Sequence, residues 1–250
     1  MGDLHVLMSE PVTKAVILAA GRGTRMRELT LAMPKPMVEV CGKPVLSYIL
    51  EGLRDAGVRK ILIVIGYRKE VVIDHFRDGS ALGVEIVYVE QITQDGTGKV
   101  VELAKEFCGS DPFILSYGDI LIDPSRYHLL IQPGDADMTL TVRRMDDASK
   151  GGAVYVNERF EVVDLREKQL PEETTTPWYN AGVYTFKSTI FPYVARLEKS
   201  PRGEYELTDA IRAMARDGKK VKAVEIKGFW ADVRDPETLS ALNVNPPEDT

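Results

Sequence analysis

A short apolar run near the start of the chain, Ala15-Val-Ile-Leu-Ala-Ala20, breaks at once into Gly21-Arg22-Gly23-Thr24-Arg25. A strand that leaves the core at two glycines, beside guanidiniums and a hydroxyl, sets bare backbone N–H groups against phosphate. Glycine allows that approach because no Cβ stands in the way. Arg22 and Arg25 each offer a planar fork that fits phosphate oxygens. The spacing is neither that of a P-loop nor that of the dinucleotide fingerprint, since Met26 stands where a third glycine would fall. Ten residues on, Lys35 lies between Pro34 and Pro36. The prolines restrict their own φ and push the preceding residues toward extended backbone, which holds the lysine firmly. A fixed ammonium beside a phosphate loop suits stabilisation of charge on a reacting phosphoryl group.

Tyr117-Gly118-Asp119 follows a second apolar run, so Asp119 falls at the carboxyl end of a strand, where open α/β sheets bind ligands. Gly118 leaves its carboxylate room, and oxygen donors suit Mg²⁺. Alone, Lys35 reads equally as a surface lysine in a proline-rich turn and Asp119 as a turn residue. Their company beside the Gly-Thr-Arg loop is what points to chemistry.

These groups need a rigid frame, and the pattern supplies one. Strands are expected over Lys14–Ala20, Lys60–Gly66, Val84–Val89 and Pro112–Tyr117. Helices are expected over Val45–Ala56, stopped by Gly57, over Lys69–Arg77, and over Gly98–Phe107. The unbroken apolar character of Ile61–Ile65 marks a strand covered on both faces. This βαβα order means a mostly parallel sheet with helices on both sides. The second half changes character. Asp137–Val142 alternates threonine with apolar residues and reads as half-buried, and Ala153–Asn157 with Glu161–Arg166 reads as a hairpin. A strand over Asn180–Phe186, a helix through Leu207 and Met214 ending at Gly218, a strand over Val221–Ile226 and a short helix over Pro236–Leu242 complete the chain. The polar stretch Lys168–Pro177 reads as a mobile flap.

With 250 residues, 44% of them hydrophobic and 28% charged, the chain is long enough to bury a core without staples. The expected division is a lead over 1–12, a single domain over 13–244 and a disordered tail over 245–250. A net charge of −6 argues against general nucleic-acid binding while leaving room for a local phosphate pocket. Cys41 and Cys108, the two cysteines, have neither metal-ligand spacing nor a disulfide framework and read as small buried residues in a reducing, cytoplasmic compartment. No membrane span or signal peptide is visible. Oligomeric state stays open, a homo-oligomer included.

Leu18-Ala-Ala-Gly-Arg-Gly-Thr-Arg25 with Pro34-Lys-Pro36 resembles the opening of the sugar-nucleotidyltransferase (nucleoside-diphosphate-sugar pyrophosphorylase) family, and further motifs recur in the family's order from Lys14 to about Leu242. The resemblance implies a Rossmann-like three-layer α/β/α domain with a mostly parallel mixed sheet. It also implies Mg²⁺-dependent transfer of a nucleotidyl group from a nucleoside triphosphate to a sugar 1-phosphate. Under it, Arg25 and Lys35 are catalytic, and Leu18, Ala20, Gly21, Gly23 and Thr24 form the nucleotide loop. Gln91 with Gly96 and Thr97 reads the base, a carboxamide and backbone edge suiting uracil or thymine. Gly152, Glu167, Lys168 and Asn180 bind the sugar phosphate, and Asp119 with Asp232 holds the metal. The rivals are a cytidylyl- or guanylyltransferase acting on another phosphorylated alcohol, and a catalytically weak subunit that senses nucleotide sugar. Arg27-Glu28, Arg234-Asp235 and Pro171–Pro177 depart from the family pattern, which leaves the choice of sugar open.

Overall fold

The computed structural model describes residues 11–244. The strands, in chain order, are β1 (Lys14–Ala19), β2 (Glu39–Val40), β3 (Lys43–Pro44), β4 (Lys60–Ile65), β5 (Glu85–Glu90), β6 (Phe113–Tyr117), β7 (Ile120–Ile122), β8 (Met138–Arg144), β9 (Gly152–Val156), β10 (Val162–Glu167), β11 (Trp178–Phe186), β12 (Val221–Glu225) and β13 (Trp230–Asp232). The α-helices are α1 (Val45–Asp55), α2 (Lys69–Phe76), α3 (Thr97–Leu103), α4 (Lys105–Cys108), α5 (Phe191–Ala195), α6 (Leu207–Arg216) and α7 (Pro236–Val244).

Strands β6, β1, β4 and β5 lie side by side and parallel, with Ile17 level with Ile63 on one flank and with Ser116 on the other. Antiparallel β11 extends this sheet beyond β6 and pairs with β8 and β9, while β12 and β10 complete nine strands. Alternate side chains of the parallel strands enter two cores, as the period of two requires. Ile17, Ile61, Ile63 and Ile114 pack toward α1, α2 and α7. Val16, Leu62, Val64 and Leu115 pack toward α3, α5 and α6. The result is the expected three-layer α/β/α sandwich.

The chain runs from β1 outward through β4 to β5, then returns through α3 to place β6 on the other side of β1. A crevice therefore opens beyond the carboxyl ends of β1 and β6, where the direction of winding reverses. That crevice is where Gly21 and Asp119 emerge.

Several local expectations change. Met138–Val142 is buried throughout, because β8 is an inner strand flanked by β11 and β12. Thr141 is satisfied by backbone: its Oγ1 donates to Val183 O at 2.7 Å. The helix expected over Gly98–Phe107 is broken at Ala104 into α3 and α4. Cys108 is buried, but Cys41 is exposed, in left-handed backbone (φ 52°) at the turn joining β2 to β3. Val12, assigned above to the lead, is 1% exposed and donates its N–H to Ile131 O at 2.8 Å. The rest of that segment except Pro11, and the expected tail over 245–250, lie outside the described residues. Lys168–Pro177 is a surface segment tethered to β9, where Thr176 Oγ1 donates to Val154 O at 2.7 Å and Tyr155 Oη to Gln169 Oε1 at 2.8 Å.

Candidate active site

The phosphate-type loop begins where β1 ends at Ala19. Ala20 O accepts from Tyr67 N–H at 3.2 Å and from Gln94 Nε2 at 2.8 Å, which ties this corner to the loops after β4 and β5. Gly23 has φ 67°, a conformation open to glycine at little cost, and heads a turn in which Met26 N–H donates to Gly23 O at 2.9 Å. Met26, in place of the third glycine of a dinucleotide loop, is fully buried and anchors that turn in the core. Thr30 Oγ1 closes the loop on Gly23 O at 3.1 Å.

Gly23 has a second role. A Cβ there would fall 2.7 Å from Lys35 Cβ, so the lysine stem lies against bare backbone. Pro34 is extended, and Lys35-Pro-Met37 forms one 3₁₀ turn with Pro36 buried. Restraint by the prolines is as expected, although Lys35 itself enters a turn rather than an extended stretch. Its side chain is 14% exposed, and Nζ pairs with the Asp119 carboxylate and lies 3.8 Å from Asp232 Oδ1.

Asp119 links β6 to β7, and Asp232 ends β13, which pairs with β7 so that Asp232 stands opposite Ile120. Val233 N–H donates to Asp119 O at 2.9 Å and locks the two carboxylates together. Burial, reinforced by the Asp119 charge, pushes the Asp232 carboxyl up to about 6 against the opposing pull of Lys35, Arg234 and Arg25. Gly118 serves close packing more than room for a carboxylate: a Cβ there would lie 2.8 Å from Leu18 O and 3.0 Å from Pro36 Cγ. Asp235 caps the helix that follows, its Oδ1 accepting from Thr238 N–H at 2.8 Å.

A cleft of about 530 Å³ runs from Leu18, Ala20, Gly21 and Arg25 across Asp119. Gln91, Gly96 and Thr97 line one part of it, and Gly152, Glu167, Lys168 and Asn180 another. An adjoining cavity of about 450 Å³ is lined by Gly23, Thr24, Arg25, Lys35 and Asp119. Apart from Arg22, whose guanidinium lies over the Tyr67 ring at 5.3 Å and lines neither cavity, the polar residues singled out above line these two cavities, with Asp232 joined to them through Lys35.

At the Gln91 end, Gly96 has φ 115°, and a Cβ there would meet Tyr205 N and O at 2.5 Å. Tyr205 N–H donates to Asp95 O at 2.7 Å and Gly98 N–H to Tyr205 O at 2.8 Å, so the glycines admit a second backbone. At the other end, Asn180 Nδ2 donates to Tyr184 Oη at 2.7 Å, which orients the amide. Glu167 pairs in register with Gly152, and burial raises its carboxyl, opposed by the charge of Arg202. Lys168, left-handed at φ 46°, donates its N–H to Gly151 O at 2.9 Å.

Sequence reasoning missed Gln94, Tyr179, Arg202, Glu204 and Glu206, which also line the cleft. Arg202 binds Glu206 through Nη2 at 2.6 Å and Nε at 3.1 Å. No local signal marks the 202–206 segment. It reaches the site only because Tyr205 is clasped by the Asp95–Gly98 loop.

A model of the family described as "Nucleotidyl transferase" matches residues 14–246. The chain is 36% identical over 230 residues to the bifunctional protein GlmU of Methanococcus maripaludis, covering 92% of this chain and 53% of that protein. It thus spans about half the length of such relatives. It is also 36% identical over 228 residues to the UTP–glucose-1-phosphate uridylyltransferase AglF of Haloferax volcanii, covering 90% of this chain and 92% of that one. Among solved structures, a putative glucose-1-phosphate thymidylyltransferase from Bacillus anthracis superposes with a TM-score of 0.84 at 24% identity, covering 92% and 94% of the two chains. A UDP-glucose pyrophosphorylase complexed with UDP-glucose superposes with a TM-score of 0.83, also at 24% identity, covering 93% and 97%. At that identity the superpositions speak to the fold.

Proposed function

Because this chain belongs to the nucleotidyl transferase family, we propose that it joins a nucleoside triphosphate, UTP or dTTP, to a sugar 1-phosphate with release of pyrophosphate. The observation that carries the reading is the meeting of Arg25, Lys35 and Asp119 at the switch-point crevice, between a part of the cleft lined by Gln91 and Gly96 and a part lined by Glu167 and Asn180. Two substrates laid in those parts would bring their phosphates together over Lys35.

The reaction is in-line attack by the sugar phosphate on the α-phosphate of the triphosphate, and it needs positioning and charge neutralisation more than covalent catalysis. Arg25 offers a bidentate fork to the triphosphate, and Lys35 a point charge for the negative charge that develops in the transition state. Gln91 and the Gly96–Thr97 backbone read the imide edge of the base. Glu167 accepts sugar hydroxyls, Gly152 and Asn180 complete the pocket, and Lys168 contacts the sugar's phosphate.

The donor set fits a hard divalent cation. Asp119 and Asp232 converge closely enough for one ammonium to bear on both, burial makes Asp232 seek positive charge, and no third acidic, His or Cys side chain joins a metal-ligand group among the described residues. Phosphate oxygens and water are left to complete the shell, which suits Mg²⁺. Bound there by Asp119 and Asp232, Mg²⁺ would supply charge neutralisation at the α-phosphate.

A grid of nucleoside triphosphates against sugar 1-phosphates, read by pyrophosphate release, tests the proposal. UTP or dTTP should give the highest kcat/KM, since cytosine would leave a buried polar group unpaired at a cost of about 1–3 kcal/mol. Higher kcat/KM with CTP or GTP would remove Gln91 as base reader. Absence of turnover with every pair, together with nucleotide-sugar binding, would favour the sensor alternative. Among the described residues no helix is long and apolar enough to cross a membrane.

A further inference from the structure

Tyr179 is a cleft residue with no place in the mechanism above. It lies on β11, paired through its backbone with Arg143 of β8 on one side and with Ala153 of β9 on the other. Its ring meets that of Trp230 edge-on, with centroids 5.8 Å apart at 75°. Trp230 is itself fixed, because its indole N–H donates to Ala181 O at 3.0 Å. On the far side the phenol rests on bare backbone: a Cβ built on Gly151 would lie 2.4 Å from Tyr179 Oη and 2.6 Å from the ring. The ring therefore has little freedom to turn.

The hydroxyl so placed makes no hydrogen bond with any described residue. Charges from both halves of the site bear on it, those of Asp232 and Glu167 from the acidic groups and those of Arg234 and Arg25 from the basic ones. A phenol is protonated at neutral pH and is raised further here by burial, so it presents a donor. When substrate fills the cleft, a donor held there loses its water, a cost that an acceptor on the substrate offsets.

We infer that Tyr179 is a substrate-positioning residue whose hydroxyl donates a hydrogen bond to the phosphate of the sugar 1-phosphate. This rests on the functional reading above. The placement favours the phosphate over a ring hydroxyl because the ring packs on Trp230, two residues before Asp232 on β13, while Asn180 of the proposed sugar subsite follows Tyr179 on β11, so the phenol stands in the cleft between the two regions. Gly151 supports it indirectly, by leaving the hydroxyl its place.

Tyr179→Phe removes the hydroxyl and keeps the ring, so packing against Trp230 and Gly151 survives. Calorimetry with glucose 1-phosphate and with N-acetylglucosamine 1-phosphate, alongside steady-state kinetics with UTP, measures the effect. Expected is an affinity about tenfold weaker and a KM about tenfold higher for whichever sugar phosphates the wild type accepts, with the KM for UTP unchanged. Gly151→Ala should produce a loss of the same kind, since its methyl displaces the phenol. Unchanged sugar-phosphate binding in Tyr179→Phe overturns the inference while leaving the enzyme's function intact. So does a loss confined to one of two accepted sugars, which would mark a ring contact, or a loss that falls on UTP. A wild-type protein that binds no sugar phosphate defeats the functional reading and this inference with it.

Discussion

Lys35 shows how much depends on a single side chain's surroundings. Its stem lies on Gly23, its neighbours are prolines, and its ammonium meets Asp119, so it reaches the crevice without a search through rotamers. Lys35→Ala or Arg25→Ala should lower kcat by about 10²–10³, the usual loss for one group that stabilises transition-state charge. Melting temperatures should move little, because the core does not rest on either cation. Near wild-type turnover in either variant would remove that residue from the catalytic set. Asp119→Asn and Asp232→Asn should each raise the Mg²⁺ concentration that gives half activity, since an amide is a poorer ligand for a hard cation. Chelation by EDTA should abolish pyrophosphate release and added Mg²⁺ restore it. Full activity in excess chelator would contradict the metal assignment.

At the scale of elements, the part of the cleft lined by Glu167 depends on how α6 is fastened to β10. Asp164 on β10 accepts from Arg212 Nε of α6 at 2.7 Å and from Arg166 Nε at 2.6 Å. Burial works to raise its carboxyl, but the two guanidiniums outweigh burial and hold it below the ordinary value. A lowered folded value means stability that is fully present above the unfolded value, near pH 4, and lost as pH falls through the folded one. Asp164→Asn should therefore cost about 1 kcal/mol at pH 7 and progressively less below pH 4. Urea unfolding of both proteins at pH 7 and pH 3 measures this, and a gap that widens in acid would show the sign to be wrong. The fastening bears on function because Glu167 follows three residues later on the same strand, and α6 begins at the segment that carries Arg202 and Glu206.

For the whole molecule, β6 is the hinge of the design: it pairs in parallel with β1 and antiparallel with β11, so one sheet carries both halves of the site. Phe113 on β6 is fully buried between Phe186 of β11, at 5.7 Å, and Phe191 of α5, at 5.8 Å. Phe113→Ala should destabilise by about 3–5 kcal/mol, the range for removing a buried aromatic ring. Because the sheet is continuous, far-ultraviolet circular dichroism and the fluorescence of Trp178 and Trp230 should lose structure at the same denaturant concentration in both proteins. An early fluorescence transition in the variant alone would mean that the second half unfolds separately.

The part of the candidate site around Gly21, Lys35 and Asp119 was legible in the sequence because its pattern is local. Gly21 to Arg25, Pro34 to Pro36 and Tyr117 to Asp119 each place a functional group within a few residues of the strand end that positions it, and the apolar run from Ile61 to Ile65 marks a buried strand by itself. What tertiary structure alone decided involves partners far apart along the chain. Thr139 and Thr141 look like a solvent face until β11 and β12 flank them and a backbone carbonyl takes the Thr141 hydroxyl. Gly23 reads as a phosphate-loop glycine, yet its lack of a Cβ also makes the bed for Lys35. Tyr179, Arg202 and Glu206 carry no pattern, because an isolated tyrosine or charge pair on a strand or loop looks the same in a cleft as on a surface. Their places follow from pairing of β11 with β8 and β9, and of Tyr205 with the Asp95–Gly98 loop. Such contacts join segments whose sequences record nothing of each other, so only the folded sheet brings them to the crevice.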